Sequence, residues 1–243
     1  MLHLCIKAEN AKLRHSVIWL AALLVPVIPA IMGTFNYLQN TDILTGAWYS
    51  LWSQFTLFYS LLFYAPLIGV YCSYLWRLEH MNHNWNVLMT MPVSPASIFA
   101  GKLVIILKVT LFTQLWVYVL FVIGGKLVHF PGLPPLDILL WTLRGTLAAI
   151  AIGTLQLLLS MCIRSFAIPI GIALAGGCIG LVLSNLNMGL FWPYALLMMG
   201  MNSNSYEDKM SGGLLPFLIS TLFFFLLFFG ISIYLLKKRD VKA

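Results

Sequence analysis

Residues 214–236 read LLPFLISTLFFFLLFFGISIYLL, an uncharged run of 23 residues that ends at Lys237, Lys238 and Arg239. At 1.5 Å per residue, a helix over this run is long enough to cross a hydrocarbon core of about 30 Å. Working back towards the start of the chain, five more apolar runs of similar length lie at about 16–35, 50–76, 103–125, 138–162 and 167–184. The expected fold is all-α: a polytopic membrane protein with six transmembrane helices, forming a single transmembrane domain over 1–243.

The composition points the same way. Hydrophobic residues make up 61% of the chain and charged residues only 9%, where a soluble domain carries about 25%. A water-facing surface cannot be built from so few charges. The mean hydropathy of +0.93 is spread along the chain, which argues against one anchor on a soluble domain. The formal net charge is +7, but the cations are dispersed and form no basic module for nucleic acid, so membrane lipids are the expected counter-charge. Cys5, Cys72, Cys162 and Cys178 show no CxxC spacing and read as buried thiols. The basic stretch before residue 17 is too long for a cleaved signal, and an uncleaved first span is expected.

Threaded as a serpentine, the six runs put Lys7, Lys12, Arg14, Arg77, Lys102, Lys108, Arg164, Lys237, Lys238, Arg239 and Lys242 on one face. By the positive-inside rule that face is cytoplasmic, which places both termini there and makes the chain a multi-pass protein of the cell membrane. Only Lys126 and Lys209 fall on the other side, and Arg144 lies about two turns into the fourth span. Residues 190–201, LFWPYALLMMGM, are apolar but too few to cross as a helix. With Trp192, Pro193 and Tyr194 they read as an interfacial or re-entrant hairpin within an outer segment over 185–213. The competing reading extends the fifth span.

Small residues mark close helix packing: Gly145, Ala149 and Gly153 in the fourth span, and Ala173, Gly176, Gly177 and Gly180 in the fifth. Gln54, Gln114 and Gln156 are mid-span amides that either hydrogen-bond between helices, the more common use, or line a path. Asp137 and Arg144 share nearly one face of the fourth span. With Gln156 they are candidates for a polar cavity, the alternative being that Arg144 is an anchor snorkelling to the surface.

Before the first span, Leu2, Ile6, Leu13 and Val17 interleave with His3, Lys7, Asn10 and Arg14. An amphipathic interface helix over 1–15 is expected, with Lys7, Lys12 and Arg14 as its cations. The loop over 77–102, RLEHMNHNWNVLMTMPVSPASIFAGK, is too long for a minimal turn. Leu78, Met81, Trp85 and Leu88 form an apolar stripe at helical spacing, Pro92 stops that helix, and Ser94 followed by Pro95 starts the next. The stripe faces either a protein partner or else lipid or the protein's own helices. His80 and His83 beside Glu79 lack a second cluster to complete a metal site. No GxxxxGK[ST] phosphate loop, HExxH pair or GxSxG elbow occurs, so ATP hydrolysis by a phosphate loop is excluded and enzymatic function is disfavoured.

With these segments the chain resembles the type 2 ABC exporter permeases, in particular the small permease subunits of lantibiotic immunity and bacitracin resistance. The likeness rests on LCIKAENAKLRHS at 4–16, on Glu79, Trp85, Leu88, the Pro92-Val93 step and Lys102, and on the late WPY segment. The resemblance implies a six-span permease paired with itself or a sister permease. Cytoplasmic ABC ATPase subunits would bind the ATP and magnesium, and this chain would bind no cofactor. Glu79, Met81, Trp85, Leu88 and Pro92 would then belong to a coupling helix seated in the ATPase. The implied activity is export of antimicrobial peptides, although generic drug or lipid export uses the same frame and no residue here separates the two. A membrane-embedded accessory or sensor protein without transport is the competing class.

Overall fold

A computed structural model describes residues 1–81, 84–203, 210 and 212–238. Among them the fold is entirely helical: α1 Leu2–Lys12, α2 Val17–Leu24, α3 Val27–Gln39, α4 Trp48–Phe58, α5 Ala65–His80, α6 Asn84–Thr90, α7 Pro95–Leu127, α8 Leu136–Cys162, α9 Ala167–Asn185, α10 Ala195–Gly200 and α11 Leu214–Lys238. Five helical segments are long and apolar enough to cross a membrane, and α4 with α5 makes a sixth if the bent pair is taken as one span. Lys209, Arg239, Lys242 and His83 lie outside the described residues.

Two of the expected spans are not straight. The first is interrupted at Val25 and Pro26, where proline removes a helical N–H, so α2 and α3 meet at a break. The second passes through a π-helical turn, Tyr59–Tyr64, between α4 and α5, which are bent by 40°. Ser16 caps α2 by accepting from Ile18 N–H at 3.0 Å, and Ser94 caps α7 by accepting from Ser97 N–H at 3.2 Å with Pro95 next, as the sequence indicates.

α8 is the central post and touches α5, α7, α9, α10 and α11, whereas α11 packs at the periphery with most of its surface open. Glycines set the closest approaches. A Cβ at Gly153 would lie 2.8 Å from Ile106 Cγ2, and one at Gly145 2.4 Å from Met201 Cγ. The three span amides bridge helices: Asn36 Nδ2 donates to Gln54 Oε1 at 2.5 Å, Gln114 Nε2 to the Thr142 carbonyl at 3.4 Å, and Gln156 Nε2 to Tyr194 Oη at 2.5 Å. The cysteine expectation needs correction. Cys72 is buried and Cys5 half-buried, but Cys162 and Cys178 are exposed on the bundle's outer faces.

Phe99, near the start of α7, meets Phe229 of α11 at 5.6 Å between ring centroids, so the beginning of α7 and the second half of α11 share one end of the bundle with α1. This basic end also holds Arg77 and Arg164, while Lys126 lies at the far end of α7.

Candidate coupling site

The site is built where α1, the end of α5 and the start of α7 converge. Gly101 makes the convergence possible, since a Cβ there would lie 2.9 Å from Cys5 Cβ. That close approach of α1 to α7 lets Glu9 reach the next residue on α7, Lys102. Lys102 Nζ stands 2.9 Å from Glu9 Oε1 and 2.8 Å from Glu79 Oε1; Lys12 Nζ stands 2.8 Å and 2.5 Å from the same two atoms. Each ammonium touches both carboxylates, forming a square of alternating charge with no net charge.

Lys102 has no exposed surface, and Glu9 and Glu79 are about 5% exposed. A buried lysine is costly unless fully paired. Lys102 gains two further contacts: it donates to the Leu75 carbonyl at 3.3 Å and lies 4.8 Å from the centre of the Trp76 ring. Burial works against the charge on Lys12, yet Glu9 and Glu79 together hold its pKa above the ordinary 10.5.

Beside the square, α5 ends and α6 begins. The chain turns extended at Met81, and Asn84 Nδ2 donates to the Leu78 carbonyl at 2.9 Å, closing an open carbonyl at the end of α5. The expected stripe is therefore split: Leu78 belongs to the span and only Trp85 and Leu88 to the short helix. Both are half-buried against the protein itself. Trp85 stacks on His80 at 5.7 Å and leans on Trp76 at 5.8 Å, and His80 Nε2 lies 3.1 Å from the Ser160 carbonyl of α8. The exposed face instead carries Met81, Asn84, Val87 and Met91, with Pro92 beyond them. Among the described residues no three metal-binding side chains come together.

Helix α1 also turns differently from its pattern. Leu2 and Val17 are exposed while Glu9 and Leu13 are buried. Lys12 points into the charge square, and Lys7 and Arg14 remain on the outside. An apolar stripe could not reveal this, because the buried face contains a carboxylate that pairs with Lys102, 93 residues away.

At the far end the chain leaves α9 at Asn185, reverses through Asn187 with φ of 57°, and folds back into the bundle as α10. The segment is no extension of α9. Pro193 and Tyr194 are buried, Trp192 is half-buried and donates to the Gly176 carbonyl at 2.8 Å, and α10 is buried throughout. Trp52 Nε1 donates to the Met201 carbonyl at 2.8 Å. Asp137 and Arg144 line one cleft, where Tyr49 Oη donates to Asp137 Oδ2 at 3.2 Å. Gln156 does not join them; it lies about 18 Å further along α8 and serves Tyr194.

A family model described as ABC-2 family transporter protein matches residues 5–180, which takes in the whole charge square and α6. Comparison with curated proteins and with solved structures finds no match.

Proposed function

The chain belongs to the ABC-2 family of transporter membrane proteins and is a membrane permease component; from that premise we propose that it serves an ATP-driven exporter of amphiphilic antimicrobial peptides. The basic end faces the cytoplasm, where ATPase subunits seat on α6, and a second permease, identical or sister, completes the pathway. What supports the coupling role is the charge square: it ties α1, α5 and α7 into one unit directly beside a short helix with an open apolar face.

In this reading the ATPase grips Met81, Val87 and Met91. Their movement passes through Trp85, Trp76 and His80 to the ends of α5 and α8. Glu79 acts by holding the unit together rather than by touching the ATPase. The π-helical turn at Tyr59–Tyr64 lets α5 swing relative to α4. The peptide cargo follows from the resemblance to immunity permeases, whose frame drug and lipid exporters share.

The test is co-expression with candidate ABC ATPase subunits, followed by co-purification in detergent. The expected result is stable capture by wild type, loss of capture in Val87→Asp/Met91→Asp, and unchanged thermal stability of that variant, since neither side chain is buried. Cells carrying the complex should then gain resistance to added antimicrobial peptides. Capture by no ATPase would return the chain to an accessory or sensor role, and capture without resistance would remove the peptide cargo alone.

A further inference from the structure

Among the cations of the basic end, Lys12 and Lys102 are paired within the charge square, whereas Lys7, Arg14 and Lys108, like Arg77, Arg164, Lys237 and Lys238, have no carboxylate within ion-pair distance among the described residues. Lys7, Arg14 and Lys108 border one cleft of about 410 Å³, together with Asn10 and Trp19. Lys108 lies six residues beyond Lys102 on α7, about 9 Å further along the helix, and its side chain is exposed on the flank of the bundle. A lysine on a lipid-facing flank calls for an anion at the headgroups. Its contacts within the protein are neutral: Asn10 Oδ1 at 2.7 Å and the Trp19 ring at 5.7 Å.

The surface above the cleft has a matching shape. Lys108, Phe112 and Trp116 recur at intervals of four on one face of α7, and Trp19 and Leu23 face them from α2. Trp19 meets Phe112 edge to face at 5.4 Å, and Trp116 Nε1 donates to the Leu23 carbonyl at 3.0 Å. Phe112, Leu20, Leu23 and Leu115 are exposed along this seam. Three cations at headgroup level, with an aromatic and aliphatic seam running from them into the hydrocarbon zone, form the complement of one phospholipid molecule with a net negative charge.

We propose that the cleft bounded by Lys7, Asn10, Arg14, Trp19 and Lys108 binds the phosphate of an anionic phospholipid, with an acyl chain along the seam between α2 and α7. The bound lipid bridges α1 to both spans from the side opposite the charge square, so α1 is held by Glu9 on one face and by lipid on the other. The inference rests on the reading that this end meets the anionic inner leaflet, and it requires neither an ATPase nor transport.

The experiment uses the full purified chain in nanodiscs of phosphatidylcholine mixed with phosphatidylglycerol, followed by release into detergent and mass spectrometry of the lipids retained. Wild type should retain phosphatidylglycerol several-fold over its share in the disc, and Lys7→Gln/Arg14→Gln/Lys108→Gln should lose that excess. Lys237→Gln/Lys238→Gln, neutral at the same end but away from the cleft, should keep it, as should Lys108→Arg. Equal retention in all variants overturns the proposal, and so does an equal loss in the Lys237/Lys238 control, which would mean diffuse attraction to the whole basic end. Displacement of the retained lipid by inorganic phosphate alone would make this a free-anion site and overturn the lipid assignment. Should the triple variant fail to fold, Lys108→Gln alone is read in the same way, and unchanged retention there overturns the proposal. Because the assay contains no partner subunit, a negative result leaves the permease reading standing.

Discussion

The two ends of the bundle are joined by opposite means. At the basic end, α1, α5 and α7 meet through four charges that cancel. At the far end, α10 is held by neutral hydrogen bonds, from Trp52 to Met201, Gln156 to Tyr194 and Trp192 to Gly176, and by close contact with glycines. Ammonium–carboxylate attraction falls off slowly with distance and tolerates small shifts in angle, whereas a ring against a glycine tolerates almost none. The charged joint therefore suits elements that move together, and the packed joint suits an element that stays fixed. The family-matched residues, 5–180, cover the charged joint and stop short of α10.

The largest effect should come from Lys102. Lys102→Met leaves Glu9 and Glu79 buried with Lys12 as their only cation, and a broken buried pair costs about 3–5 kcal/mol. Thermal unfolding in detergent checks this, and adding Glu79→Gln should restore part of the loss, because the second change removes the charge left uncompensated. A loss smaller than that of the far-end variants below would reverse the contrast between the two joints.

At the far end, shape should outweigh hydrogen bonding. A Cβ at Gly176 would lie 2.5 Å from two carbons of the Tyr194 ring, so Gly176→Val must push the WPY segment away, at a cost of about 1–3 kcal/mol. Tyr194→Phe keeps the ring against Gly176 and removes only the acceptor of Gln156 Nε2, leaving a buried N–H unpaired at about 1 kcal/mol, the low end for such a donor. Unfolding midpoints of the two variants under one condition order them. If Tyr194→Phe proves the more costly, the far end depends on its hydrogen bonds and the comparison must be redrawn.

The spans were legible because lipid imposes a length and forbids charge, two properties that show in any run of residues. The Ser94-Pro95 start of α7 was legible for a local reason as well, since a cap and its helix are neighbours. The breaks at Pro26 and at Tyr59–Tyr64 were harder, because a proline or an aromatic run inside an apolar span is compatible with a straight helix until its neighbours are known. The charge square was beyond local reading. Glu9 on an interface helix looks like one more surface charge, and nothing near it in sequence shows that Gly101 brings α7 close enough for Lys102 to meet it. The stripe through Trp85 and Leu88 was visible as a stripe, but its spacing could not say whether it turned towards a partner or towards Trp76 and His80. Pairing Asp137 and Arg144 with Gln156 failed for a reason of distance, since residues on one long helix share a cavity only if the cavity is as long as their separation.

The smallest effect sharpens the comparison by isolating the one charge in the square with substantial exposure. Lys12 has about a third of its side chain exposed, and its pKa lies above 10.5 because both carboxylates favour the ammonium. A folded value above the unfolded one means that the stabilisation from Lys12 is fully present below the unfolded value and is lost as pH rises through the folded one. Across neutral pH, wild type should therefore exceed Lys12→Met in unfolding temperature by a constant margin, smaller than that for Lys102→Met because water reaches the exposed place that Lys12 leaves beside the carboxylates, and that margin should close only above about pH 10.5. The difference between the two proteins carries the signal, since other groups titrate in the same range and do so in both. A margin that closed near neutral pH would show that Lys12 does not sit between Glu9 and Glu79 as an ammonium, and the charged joint would then rest on Lys102 alone.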